Sequence, residues 1–227
     1  MARPRAPLLS REKIVAEALA LIDAEGLAAL STRRLAGRLG VSGPSLYNHF
    51  ATMDELVEAV ADTVIGKVDL DGLAEPGLPW IEAMRRWARS YRDVLAEHPN
   101  LVPVAVHGPG RRPAALRLAD AVYGATVRAG WTPRGATEIG ALMRFFVAGA
   151  ALGSFAGGFS ADPELYGEDY PHLRRAYLLA ARSDIDDAAF ELGLDSLLSG
   201  LVARQVAADA PGAEPDSDSA DSPHSAG

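Results

Sequence analysis

From Leu27 to Val57 the chain reads LAALSTRRLAGRLGVSGPSLYNHFATMDELV, and its punctuation sets three helix starts within about thirty residues. Ser31 or Thr32 is placed to cap a helix whose inward side chains are Leu35, Ala36 and Leu39. Gly40 follows it, where a left-handed residue ends a helix at least cost. Ser42 is placed to cap a second helix with Pro44 in its first turn, where the missing N–H breaks no bond. Leu46 and Phe50 point inward from that helix, which leaves Ser45, Tyr47, Asn48 and His49 as a polar outer face. Thr52 and Glu55 have the spacing of a capping box, opening a third helix that buries Leu56, Val57, Val60, Ala61 and Val64. Two short helices around a tight turn, with a longer helix following, are a helix-turn-helix.

The 227 residues suffice for this module and a larger helical core. A helix from about Ser10 to Glu25, with Ile14, Val15, Ala18, Leu19 and Ile22 at helical spacing, supplies the module's third side. The reading divides the chain into a loose arm at 1–9, the helix-turn-helix unit at 10–66 and a linker at 67–79. An all-α domain follows at 80–206, then a disordered acidic tail at 207–227. Arg3 and Arg5 in the arm suit either a disordered terminus or a contact to phosphate.

Helices are expected over 80–98 and 114–129, then in a long one from Thr132 to Phe155 or beyond, then in a short one at 172–182. The last is to start at Asp184 or Asp186. The uncharged run 145–161, with Gly149, Gly153, Gly157 and Gly158, reads as a helix buried on all sides whose glycines admit a second helix. A membrane span is not expected, because the run is short and rich in glycine. Phe190, Leu194, Leu197, Leu198 and Leu201 form a wide stripe, read together with Gly149 and Gly153 as a dimer interface.

Charge separates the two ends. The net charge is −8, yet residues 1–50 carry seven Lys or Arg against four Asp or Glu. The basic end is the one that holds the helix-turn-helix, as a polyanionic partner requires. The chain has no cysteine, which excludes disulfides, thiolate metal sites and a cysteine nucleophile. Its five histidines are scattered at 49, 98, 107, 172 and 224, and no nucleophile elbow, phosphate loop or zinc-protease motif is present. Neither an enzyme nor a resident metal or cofactor is expected. The N-terminus lacks the apolar core of a secretory signal, so a cytoplasmic location is expected.

The run STRRLAGRLGVSGPSLYNHF, with its Leu-Tyr-x-His-Phe ending, resembles the TetR family of transcriptional regulators, and Phe190–Leu201 resembles the end of a tetracycline-repressor type of effector domain. The resemblance implies a homodimer that binds double-stranded DNA at a palindromic operator and releases it when a small-molecule effector occupies the C-terminal domain. By position it assigns DNA contacts to Thr32, Arg33, Ser42, Gly43, Pro44, Ser45, Tyr47 and His49; Asn48 and Thr52 complete the expected surface. Met53 stands where the family commonly has a phosphate-binding lysine. Asp69, Trp87 and Tyr91 occupy positions where tetracycline repressors have histidine, asparagine and phenylalanine, which argues against tetracycline. His107 falls at their metal-binding histidine, and Arg112-Pro113 matches after one extra residue. The aromatic and apolar candidates Trp87, Tyr91, Tyr123, Met143, Phe146 and Phe155, with His107, suit an aromatic effector. The alternative is a helical dimer that uses its helix-turn-helix for protein contact.

Overall fold

The computed structural model describes residues 9–107, 110–181 and 184–208, and among these residues the secondary structure is entirely helical. Ten α-helices follow in order: α1 Arg11–Glu25, α2 Thr32–Leu39, α3 Gly43–Tyr47, α4 Met53–Ile65, α5 Asp71–Ala74, α6 Trp80–Ala96, α7 Val102–Ala105, α8 Pro113–Arg128, α9 Pro133–Ala151 and α10 Ile185–Ala208. The arm up to residue 8 and the tail from 209 lie outside the described residues.

The caps explain most boundaries. Ser10 accepts from the Lys13 amide at 3.2 Å and starts α1, and Gly26, at φ 84°, ends it. Thr132 caps α9 through the Gly135 amide, with Pro133 at the first helical position. Helix α8 has no capping side chain of its own at Arg112. Asp62 of α4 supplies one from outside: its Oδ1 accepts from the amides of Ala114 at 2.8 Å and Ala115 at 3.2 Å.

Buried apolar side chains form one cluster that runs from Ile14 in α1 to Leu201 in α10. Helix α4 lies in the middle of it and packs against α1, α6, α7 and α8. Its Leu56 and Val60 face the small N-terminal core with Leu35, Leu46 and Phe50, and Val64 and Ile65 extend the same buried face toward the larger one. Further bridges tie α1 to the loop after α6. His98 Nδ1 lies 3.0 Å from the Asp23 carboxylate, and the Asn100 amide donates to the Ile22 carbonyl at 3.0 Å.

Four expectations change. The segment 67–79 is no plain linker: α5 forms within it, Leu73 is buried, and the turn packs on α6 and α8. Helix α9 stops at Ala151, short of Phe155, and the chain continues in short 3-10 turns at Ala156–Gly158 and Pro163–Tyr166. The run 145–161 is not buried on all sides, because Phe145, Leu152 and Phe155 are 68%, 61% and 70% exposed. Residues 171–173 and 176–181 are 3-10 turns in place of an α-helix. The described residues contain no helix long and apolar enough to cross a membrane.

The close approach between helices occurs at a different glycine. A Cβ on Gly149 or Gly153 would meet nothing within 4 Å, whereas one on Gly193 would stand 2.6 Å from Phe146 Cε2. Phe146 of α9 lies against that gap and stacks on Phe190 of α10, with ring centroids 5.2 Å apart. Another face of α10 meets α6 through charge. Arg85 pairs with Asp195, Arg89 holds Glu191 through two bonds of 2.8 and 2.6 Å, and Arg92 meets Asp187 at 2.6 Å. The hydrogen bond from Arg89 depresses the Glu191 carboxyl below its ordinary 4.5.

Gly193→Leu is expected to cost about 1–3 kcal/mol through overpacking against Phe146, read as a lower thermal midpoint, while Gly149→Ala leaves the isolated fold unchanged. Glu191 has a depressed folded-state pKa, so the stability it adds is present above 4.5 and is lost as pH falls through its folded value. Acid titration of wild type against Glu191→Gln checks this: the two denaturation midpoints differ at neutral pH and converge in acid. The pair is half-exposed, so the difference is at most about 1 kcal/mol.

Candidate nucleic-acid interface

The polar surface is built by two caps, two hydroxyl pairs and one arginine clamp. Ser31, not Thr32, caps α2, accepting from the Arg34 amide at 3.4 Å. Thr32, freed from capping, places its Oγ1 3.1 Å from the Tyr47 hydroxyl. That bond ties the start of α2 to the end of α3 and holds the Tyr47 ring, which is 52% exposed. Ser42 does not cap α3 through its side chain either; its hydroxyl lies 2.7 Å from that of Ser45. Both hydroxyls therefore sit together at the N-terminal end of α3, beside Gly43 and Pro44. Thr52 does cap α4, through the Glu55 amide at 3.0 Å, while Glu55 reaches back to the Ala51 amide at 2.7 Å.

Arg11 of α1 fixes the chain where α3 ends. It donates to the His49 carbonyl, pairs with Glu55 at 2.8 Å and lies 4.0 Å over the Phe50 ring. The Arg11 hydrogen bond and the Ala51 amide hold the Glu55 carboxyl below its usual range. Helix α3 is shorter than its sequence pattern suggests: it ends at Tyr47, Asn48 caps it, and His49 lies beyond it, half-buried. Gly43 packs near Thr32, whose Cγ2 would stand 3.4 Å from an added Cβ. Met53, in the first turn of α4, is partly buried against the core.

Three arginines on α2 divide by role. Arg34 pairs with Glu25 at 2.5 Å and Arg38 pairs with Glu17, so both are held by α1. Arg33 is exposed and forms no ion pair among the described residues. Its guanidinium, the Thr32–Tyr47 pair and the Ser42–Ser45 pair provide donors and acceptors of the kind that phosphates and base edges take. Sequence patterns gave no sign of the Arg11 clamp, because its partners lie 38 and 44 residues away.

The larger unit brings together only part of the expected effector set. A cavity of about 50 Å³ is lined by Ile65, Tyr91, Ala105, His107, Arg112, Ala115, Leu118, Ala119 and Arg144. Of the seven candidates, Tyr91 and His107 reach it. Trp87 and Met143 are core residues at 2% and 0% exposure, and Phe146 is occupied with Gly193 and Phe190. Tyr123 and Phe155 lie on the surface, at 39% and 70% exposure, because α8 turns the first outward and α9 ends before the second. His107 Nδ1 is 2.5 Å from the Pro103 carbonyl, and the described residues hold no cluster of three or more His, Asp or Glu for a metal. Arg144 and Arg112, absent from the sequence-based set, complete the wall.

The expected dimer stripe is also corrected. Phe190, Leu194, Leu198 and Leu201 are at most 7% exposed and fill the chain's own core against α6 and α9, and Leu197 is half-buried. Apolar residues lie on both the inner and the outer face of α10, and spacing alone does not separate the two.

Residues 14–60 match the model of bacterial regulatory proteins of the tetR family, and residues 73–205 match the tetracyclin repressor-like C-terminal domain. The chain belongs to the TetR family of transcriptional regulators. It is 35% identical over 144 residues to an HTH-type transcriptional regulator of Saccharopolyspora erythraea, a match that spans 63% of this chain and 60% of that relative's length. It is 32% identical to the class C tetracycline repressor protein of Escherichia coli, over 85% of this chain and 90% of the relative. The crystal structure of Streptomyces coelicolor ActR in complex with actinorhodin superposes with a TM-score of 0.66 at 31% identity, covering 88% of this chain and 99% of that one.

Arg33→Ala is expected to weaken binding to a cognate duplex by roughly 1–3 kcal/mol if the guanidinium reads a base, measured by fluorescence anisotropy, with the melting curve unchanged. Arg38→Ala is expected to do the reverse in kind: a small loss of stability with duplex affinity preserved.

Proposed function

We propose that this TetR-family regulator is a ligand-responsive repressor, without catalytic activity, that binds a palindromic operator as a homodimer. The observation that carries the reading is the paired arrangement of Thr32 with Tyr47 and Ser42 with Ser45, beside Arg33, which forms no ion pair among the described residues, at the basic end of an acidic chain. Ser42, Gly43, Pro44, Ser45 and Tyr47 enter the major groove together with the Arg33 guanidinium, which reads a base edge, with Thr32 and Thr52 on the flanking backbone, and Asn48 and His49 at the edge. Two relatives support the response to a ligand: one is named a tetracycline repressor, and the other was crystallised with actinorhodin.

The dimer face follows from exposure. Leu142 and Phe145 on the outside of α9 and Leu152 just past its end, with Gly149 between them, recur at helical spacing, and Leu192, Val202 and Val206 do so on α10. Two adjacent helices that show large apolar side chains to solvent on one face need a cover. A second copy of the chain, bringing the same two helices, forms a four-helix interface across a two-fold axis. Gly149 stays in this face, and the inward residues of α10 leave it.

Selection of duplexes from a random pool tests the whole reading. The enriched sequences should contain inverted half-sites whose centres are separated by about one helical turn, and binding should weaken steeply with salt. A pool without enrichment would favour use of the helix-turn-helix for protein contact. Phe145→Glu combined with Leu192→Glu should convert the protein to a folded monomer in sedimentation analysis and abolish tight operator binding.

A further inference from the structure

The small cavity between α4, α6, α8 and α9 has an unusual wall. It contains two guanidinium groups, an imidazole and a phenol, and no carboxylate. Two of these four groups have partners of their own. Arg112 pairs with Glu58 at 3.2 Å and donates to the His107 carbonyl at 2.5 Å, so its charge is answered from α4. The His107 ring is turned to the Pro103 carbonyl. Arg144 is different: half-buried on α9, it forms no ion pair among the described residues, and its guanidinium carbon lies 6.0 Å from the centre of the Phe145 ring. Tyr91, 3% exposed, turns its phenol into the same space. Burial raises the Tyr91 phenol above its ordinary 10.0 against the pull of Arg144 and Arg112, so it remains a neutral hydroxyl donor.

We propose that the effector of this regulator is an aromatic anion, whose carboxylate, phenolate or sulfonate head is held by Arg144 and the Tyr91 hydroxyl. A half-buried cation with no counter-charge among the described residues is costly to desolvate further, and an anionic head removes that cost where a neutral ligand adds to it. The guanidinium fork suits a planar or multi-oxygen anion better than a point acceptor. Ile65, Leu118, Ala115 and Ala119 make the remainder of the wall apolar, so a head group that enters leaves bulk water where Arg144 and Tyr91 meet it. The cavity's 50 Å³ takes the head group. The ring system follows by the side that His107 and Arg112 share with a groove of about 970 Å³ between α1, α4 and the segment before α8. A molecule seated there presses on Arg112 and hence on Glu58 of α4. This inference rests on the ligand-responsive reading and specifies the charge of the ligand.

Two fluorescent probes of nearly the same ring structure separate charge from shape: anilinonaphthalene sulfonate, an anion, and its uncharged parent phenylnaphthylamine. Wild-type protein should bind both, the anion more tightly. Arg144→Met should weaken the anion roughly tenfold or more, the scale of one charge-assisted contact, while the neutral probe changes by less than about twofold. Arg144→Lys should recover part of the loss. Retained binding of the neutral probe certifies that the variant is folded, and Arg144→Gln repeats the comparison if the Met variant melts early. Equal loss of both probes, no change in either, or no binding to wild type would overturn the proposal. The comparison uses no DNA. Failure to enrich an operator would therefore sink the repressor reading and leave the anion preference standing, and the converse result would do the opposite.

Discussion

The contact on which the arrangement depends is the Asp62 carboxylate at the start of α8. A helix start leaves backbone amides without partners, and α8 has no side chain of its own to meet them. Asp62 meets two of them from the last turns of α4, so the helix that leaves the DNA-binding unit also completes the effector unit. A few residues earlier on α4, Glu58 pairs with Arg112, and Gly66 just past its end lets Ala114 approach to 3.5 Å of where a Cβ would stand. Polar and steric contacts thus fall on one side of one helix. The buried cluster that continues from α1 to α10 without interruption is the apolar counterpart of that junction.

This placement gives α4 two roles. At its N-terminus, Thr52 and Glu55 fix it to the segment after α3 and, through Arg11, to α1. At its C-terminus, Asp62 and Glu58 fix it to α8 and the residues before it. A displacement at either end moves a rigid rod whose other end is bonded. Arg112 is the point where the small cavity between α4, α6, α8 and α9 and the α4 contacts meet, since it lines the cavity and pairs with Glu58.

Much of the fold could be read from sequence because its signals are local. Ser10, Gly26, Gly40, Thr52 and Thr132-Pro133 each mark a boundary within one turn of their own position. The Thr32–Tyr47 bond was not legible, since Ser31 and Thr32 are equivalent caps until the tertiary fold engages one of them. Exposure proved hardest to read. On α10, apolar residues surround most of the helix, so spacing alone does not say that Leu194 and Leu198 point inward while Leu192 points out. The same ambiguity placed Tyr123 and Phe155 in a pocket and overlooked Arg144, a charge that periodicity assigns to the surface by default.

Hydrogen exchange at the α4–α8 junction tests the coupling most directly. If α4 carries position from one unit to the other, binding of a selected operator should change the protection of the Ala114 and Ala115 amides, far from the recognition surface. Asp62→Ala should abolish that change while operator-induced protection in α2 and α3 persists. Protection changes confined to residues before α5, or a response at α8 that survives removal of the carboxylate, would contradict the account.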